Sequence, residues 1–95
     1  MHYVYVLRSV GNPDKTYVGF TNSIDNRLHC HNDGKSIYTA KYKPWILVGY
    51  VAFQEEFQAI SFEKYLKSGS GKVFLKKHFL QASGLSSEAK SKARA

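Results

Sequence analysis

Ninety-five residues, 43% hydrophobic and 15% aromatic, are enough for one packed core and too few for two. Fourteen Lys and Arg against seven Asp and Glu give a formal net charge of +7, which favours a polyanionic partner. No run approaches the ~20 apolar residues of a membrane span, no segment reads as a basic amphipathic helix lying on a membrane, and nucleic acid is therefore the expected polyanion. The start, Met1-His2-Tyr3, lacks the layout of a secretory signal. The lone Cys30 forms no internal disulfide, which fits a reducing cytoplasm.

Residues His2 to Leu7 alternate as a strand does, with Tyr3, Tyr5 and Leu7 on one face and Val4 and Val6 on the other. Val10-Gly11-Asn12-Pro13-Asp14 is turn chemistry, and Thr16 to Thr21 is a second β-rich run, so the pair predicts an antiparallel hairpin. A register that sets Tyr5 opposite Tyr17 puts both phenols on one face. Gly19 opens that face, either for a ligand or for a bulge or a packed helix. Asn22 or Ser23 caps a helix to about Asn32, with Ile24 and Leu28 buried and Asp33-Gly34 ending it. Residues Lys35 to Pro44 form a basic, aromatic loop that carries Lys35, Tyr38, Lys41, Tyr42 and Lys43.

Trp45 to Phe53 is a long apolar run, expected as a central strand buried on both faces. Gln54 to Lys67 is expected as a helix, with Glu55 and Glu56 in its first turn and Ala59, Phe62 and Leu66 on its apolar face. Ser68-Gly69-Ser70-Gly71 is expected to break the chain. A last helix from about Lys72 to Leu80 would bury part of Val73, Phe74 and Leu75 and expose Lys72, Lys76 and Lys77. Residues 81–95 are small, polar and basic, and are expected to be a flexible tail on a domain of residues 1–80. The order β-β-α-β-α-α predicts an α+β (α/β) fold, a three-stranded, mainly antiparallel sheet flanked by helices.

Five side chains in this frame could serve one chemistry. Tyr5 and Tyr17 share a face, and Arg27 and His31, spaced i and i+4, point the same way. Glu63 lies at the margin of an apolar stripe, where a carboxylate requires a cation, a metal or several donors; Lys67, four residues on, is the local candidate. A phenol, a guanidinium, an imidazole and a carboxylate on a basic domain suit the cleavage of a phosphodiester.

The series Tyr3-Val4-Tyr5, Tyr17-Val18-Gly19, Gly19-Phe20-Thr21, Arg27-Leu28, His31-Asn32 and Ser61-Phe62-Glu63-Lys64 resembles the GIY-YIG nucleases over about residues 2 to 80. It looks most like small stand-alone bacterial members similar to the nuclease domain of the excinuclease C subunit. The resemblance implies a metal-dependent DNA endonuclease, selective for branched, nicked or damaged structures, with a role in DNA repair or processing. Tyr17, with Tyr5, would position or deprotonate the attacking water. Arg27 would hold the scissile phosphate, His31 would assist proton transfer, Glu63 would bind Mg²⁺ (or Mn²⁺), and Gly19 would admit the substrate. Free tyrosine, with a pKa of about 10, needs nearby cations such as Arg27 to act as a base at neutral pH. Lys35, Lys41, Lys43, Lys72 and Lys76 would bind nucleic acid, with Tyr38 and Tyr42 stacking on an unpaired base. A domain this small leaves target choice to a partner protein, a homodimer or the shape of the DNA. Tyr3 stands where the family name has Gly, and Ser70 to Leu80 lacks the Asn that family nucleases often carry in the last helix, where Lys72, Lys76 or His78 could meet phosphate. The alternative is a binding module that keeps the nuclease fold with weak or no turnover.

Overall fold

The computed structural model describes residues 1–80, and the expected tail at 81–95 lies outside the described residues. The alternating start forms β1 (His2–Ser9), which pairs antiparallel with β2 (Thr16–Thr21) on one side and β3 (Trp45–Phe53) on the other. The sheet order is β2-β1-β3, with helices on both faces.

β3 is therefore an edge strand, not the central one. The central strand is β1, whose Val4, Tyr5, Val6 and Leu7 are all buried, whereas β3 leaves Ile46, Tyr50 and Ala52 exposed. Its long apolar run has a different cause. The register of β3 against β1 shifts between Val6 and Leu7, which face Gly49 and Leu47, so Val48 has no opposite residue. Strand alternation puts Leu47 in the cluster of Tyr5 and Trp45 and Val48 in the other one, and the extra residue sets Gly49 opposite Val6 and Tyr50 opposite Tyr5.

One face, with Tyr5 and Leu7, packs under α1 (Ile24–Asn32) and the single turn α2 (Ile37–Ala40), along with Trp45, Tyr17, Ile24, Leu28 and Tyr42. The other, with Val4, Val6 and Val18, packs under α3 (Glu56–Leu66) and α4 (Gly69–His78) through Ala59, Leu66 and Leu75. α1 starts after Ser23 and ends at Asp33, as expected, followed by Gly34 at φ 77°. α3 is capped by Glu55, whose side chain takes part in a reciprocal capping box with Gln58. The Ser-Gly-rich stretch does not break the chain for long. Ser68 caps α4 by accepting from the Gly71 amide, and Gly71 sits so close to the Tyr65 carbonyl that any side chain would collide with it. Val73, expected to be part-buried, is two-thirds exposed, so Leu75 and Phe74 carry the packing of α4.

Candidate active site

The hairpin register sets Tyr5 opposite Gly19 and Tyr17 opposite Leu7. The two phenols share a face, as strand parity requires, but lie diagonally, with ring centroids 6.2 Å apart. The opening left by Gly19 is filled. A β-carbon there would overlap the hydroxyl end of Tyr5, so the glycine makes room for that phenol rather than for a ligand.

Tyr5 is 1% exposed, and its hydroxyl lies 3.0 Å from His31 Nε2. His31, itself fully buried, has its Nδ1 2.7 Å from Thr39 Oγ1 on α2. Proton positions along this chain follow from donor counting. The Thr39 hydroxyl donates to the Ser36 carbonyl over a long 3.5 Å, which leaves its oxygen to accept from His31 Nδ1–H. A neutral imidazole then has only a lone pair at Nε2, so Tyr5 donates to it. Burial, with Arg27 adding to it, lowers the pKa of His31 below its ordinary value and keeps the ring neutral at pH 7.

Burial also raises the Tyr5 pKa; a hydrogen-bonding interaction with Arg27 pulls the other way, the Tyr17 hydroxyl pushes up, and Glu63 adds the smallest push. The Tyr5 hydroxyl bonds to His31 Nε2, and the charge of Arg27 offsets part of the cost of its burial. Arg27 alone therefore does not bring Tyr5 down, because the loss of hydration in the core outweighs one guanidinium. That same interaction holds the Arg27 pKa above its usual value, so its charge is permanent.

Tyr17 is only half-buried, with its ring 4.8 Å from His31 and 6.3 Å from Tyr38. Glu63 comes from α3, on the other face of the sheet, and its carboxylate accepts from Lys67 at 3.1 Å. An exposed i, i+4 pair is worth about 0.3–0.5 kcal/mol, so the carboxylate is held loosely. Tyr5, Tyr17, Arg27 and His31 thus form one cluster, and Glu63 stands near enough for its charge to reach Tyr5. Of the five lysines expected to bind nucleic acid, Lys72 and Lys76 line a cavity beside Tyr17, whereas Lys41 lies against the Tyr42 ring and Lys43 beside Gly34. Lys35 is exposed just beyond α1.

Sequence reasoning missed Thr39, and it singled out Asn32 in a motif without its role. Asn32 clamps the first residue of β3, accepting from the Trp45 amide at 2.6 Å and donating to its carbonyl at 3.1 Å. The Trp45 indole donates to the Thr39 carbonyl, fixing α2 against the histidine. Thr39→Val should strand the buried Nδ1–H of His31 and destabilise the fold by about 1–3 kcal/mol in urea unfolding, whereas Thr39→Ser keeps the acceptor and most of the stability. Equal losses for both would mean that the methyl group matters and the hydroxyl does not.

The neutral histidine also sets a pH dependence. The folded chain binds fewer protons at His31 than the unfolded chain between its lowered pKa and the ordinary ~6.5. Its contribution to stability is therefore complete above pH ~6.5 and is lost as pH falls through that window. Urea unfolding from pH 7.5 to 5 should show this slope, and His31→Gln should flatten it; an unchanged slope would assign the effect to other groups.

Two phenols, a buried imidazole and a guanidinium thus gather on one face of the sheet, and a carboxylate arrives from the second helical layer. The family model of the GIY-YIG catalytic domain matches residues 1–83, and the chain belongs to that family. Within it the chain is similar to the small UPF0213 proteins. It is 33% identical to the Staphylococcus haemolyticus protein over 79% of this chain and 90% of that one. It is 39% identical to the Bacillus licheniformis protein over 75% and 72%. The solution NMR structure of a UPF0213 protein from Bacillus halodurans aligns over 98% of both chains, at 29% identity and a TM-score of 0.50.

Proposed function

We propose that this protein is a metal-dependent DNA endonuclease that hydrolyses phosphodiester bonds and selects branched, nicked or damaged structures in DNA repair or processing. The observation that carries this reading is the hydrogen-bonded Tyr5–His31–Thr39 chain, with Arg27 at Tyr5 and Tyr17 against the imidazole. The bonds of His31 also serve the core, so what favours catalysis is the company they keep, a permanent cation at Arg27 and a half-buried phenol, Tyr17, against the same imidazole.

Arg27 carries the charge that meets the scissile phosphate and offsets its growth toward the transition state. Tyr17, the half-buried phenol, is the one that solvent reaches, so it orients the attacking water. Tyr5 and His31 act behind it. Burial disfavours both a Tyr5 phenolate and a His31 imidazolium, so their hydrogen bond serves to hold the imidazole against the Tyr17 ring, where His31 assists proton transfer.

The carboxylate available for a metal fits Mg²⁺ and not a metal that needs several protein ligands. Among the described residues no three His, Cys, Asp or Glu side chains converge. Mg²⁺ keeps several waters and is commonly held by one or two carboxylates with substrate phosphates, which is what Glu63 alone offers. Bound there, the ion would supply charge stabilisation to the phosphodiester oxygens. Release of Glu63 from Lys67 costs little, given how weak that pair is.

The lone Cys30 is consistent with work in the cytoplasm; among the described residues no helix is long and apolar enough to cross a membrane. Site choice falls to the DNA shape, to a protein partner or to a homodimer. The test is incubation with supercoiled, branched, nicked and single-stranded DNA in Mg²⁺ or Mn²⁺ against chelator. Cleavage that needs the metal supports the reading. Binding without cleavage in every condition would establish the alternative, a nuclease-fold binding module, which the lack of an Asn along α4 favours.

A further inference from the structure

Beyond the catalytic cluster, the edge of β2 borders a cavity of about 500 Å³, within the roughly 300–1,000 Å³ range of small-ligand sites. Its walls differ in chemistry. Val18 and Leu75 are apolar, Tyr17 and Tyr38 are aromatic, and Lys72 and Lys76 on α4 are cationic. Tyr38 is 57% exposed on the single turn α2, although burying its ring would be favourable. It stands in a series of rings, 6.2 Å from Tyr42 and 6.3 Å from Tyr17, which in turn lies 4.8 Å from His31. Lys15 and Lys41 flank the outer end of that series, 5.4 and 5.9 Å from the Tyr42 ring.

From this arrangement we propose that the cavity takes one unpaired nucleotide of a DNA strand, its base against Tyr38 and Tyr17 and its phosphate on Lys72 and Lys76. The inference rests on the nuclease reading for its choice of DNA and deepens it, naming the feature of the substrate that is recognised. Alternating aromatic and cationic groups are the usual equipment for single-stranded nucleic acid, since every base has a face to stack and every phosphate a charge. A purely apolar ligand would leave two lysines unmatched, and a free inorganic anion would leave the rings and apolar wall unused. A paired base inside a duplex cannot enter, because it must first leave its stack, and that cost falls where the base is already unpaired. Because Tyr17 belongs both to this cavity and to the cluster around His31, the captured nucleotide would set a neighbouring phosphate at Arg27.

The test is equilibrium binding in chelator, so that no cleavage occurs. The probe is a short DNA duplex with one unpaired 2-aminopurine nucleotide, compared with the same duplex fully paired. The parent protein should prefer the unpaired probe by about tenfold, with a change in 2-aminopurine fluorescence on binding. Tyr38→Ala should remove the preference and the fluorescence change while leaving affinity for the paired duplex as it was. Lys72→Gln with Lys76→Gln should weaken binding and flatten the logarithmic salt dependence by about one, since the two lysines share one phosphate. Equal affinity for the two probes, a preference that survives Tyr38→Ala, or no binding to either probe overturns the proposal. Because the assay contains no metal, failure to cut DNA in Mg²⁺ would overturn the endonuclease reading and leave this site standing. Metal-dependent cutting without the preference would do the reverse.

Discussion

Glu63→Ala should lose metal-dependent cleavage by about a thousandfold or more while folding and DNA binding stay close to the parent. The carboxylate is partly exposed, and its hydrogen bond is to Lys67, an i, i+4 pair worth about 0.3–0.5 kcal/mol. Its removal therefore leaves the packing of α3, carried by Ala59 and Leu66, untouched. On the proposed function, affinity for DNA would come from lysines, and taking away an acid near them would not reduce it. The metal's charge is a different matter. Stabilisation of several kcal/mol in the transition state, at about 1.4 kcal/mol per factor of ten, sets the expected loss. Single-turnover cleavage in Mg²⁺, measured beside thermal unfolding and DNA binding, separates these quantities. A variant that cuts as fast as the parent removes Glu63 from the chemistry. A variant that no longer binds DNA would mean that the carboxylate shapes the surface instead.

How much of this was legible in the sequence depends on how local each cause is. The ends of α1 were readable because Ser23 and Asp33-Gly34 sit where the helix begins and stops, whereas α3 starts at Glu56 and not at Gln54, since Glu55 is its cap and not part of its first turn. That Tyr5 and Tyr17 share a face followed from parity alone, in any register that opposed them. Which residue faces Tyr5 did not, since a two-residue shift preserves the face and changes the partner from Tyr17 to Gly19. The apolar run of β3 reads the same in the middle of a sheet as at its edge, because composition reports neither the neighbouring strands nor which apolar residues, here Ile46 and Tyr50, stay exposed. Thr39 was invisible for a further reason. It sits on a four-residue helix, too short to show a period, and its importance lies in a histidine eight residues back. The rise in the Tyr5 pKa was hidden by the same kind of cause. Arg27 could be counted from the sequence, but the loss of hydration that outweighs it belongs to the packed core.

Gly19→Ala tests that packed arrangement most sharply, because one methyl group would have to share space with the Tyr5 phenol. Tyr5 cannot swing away freely, since it is sealed beneath α1 and α2 with Leu7 and Trp45 around it. Either the ring moves and the bond to His31 breaks, or β1 and β2 separate. Overpacking of this kind costs about 1–3 kcal/mol, and the orphaned imidazole nitrogen adds about 1–3 kcal/mol more if the bond is lost. Urea unfolding should therefore show a loss of several kcal/mol, and cleavage should fall even at temperatures where the variant stays folded. A double-mutant cycle distinguishes the two routes. Tyr5→Phe removes the hydroxyl that His31 needs, so in the parent it should cost stability, while in the Gly19→Ala background it should cost little, because the bond is already gone. If Tyr5→Phe is equally damaging in both backgrounds, the phenol has kept its place and the strands have moved. If Gly19→Ala is as stable and active as the parent, the opening at Gly19 does not determine where the tyrosine sits, and the hydrogen-bonded chain from Tyr5 to Thr39 loses its structural basis.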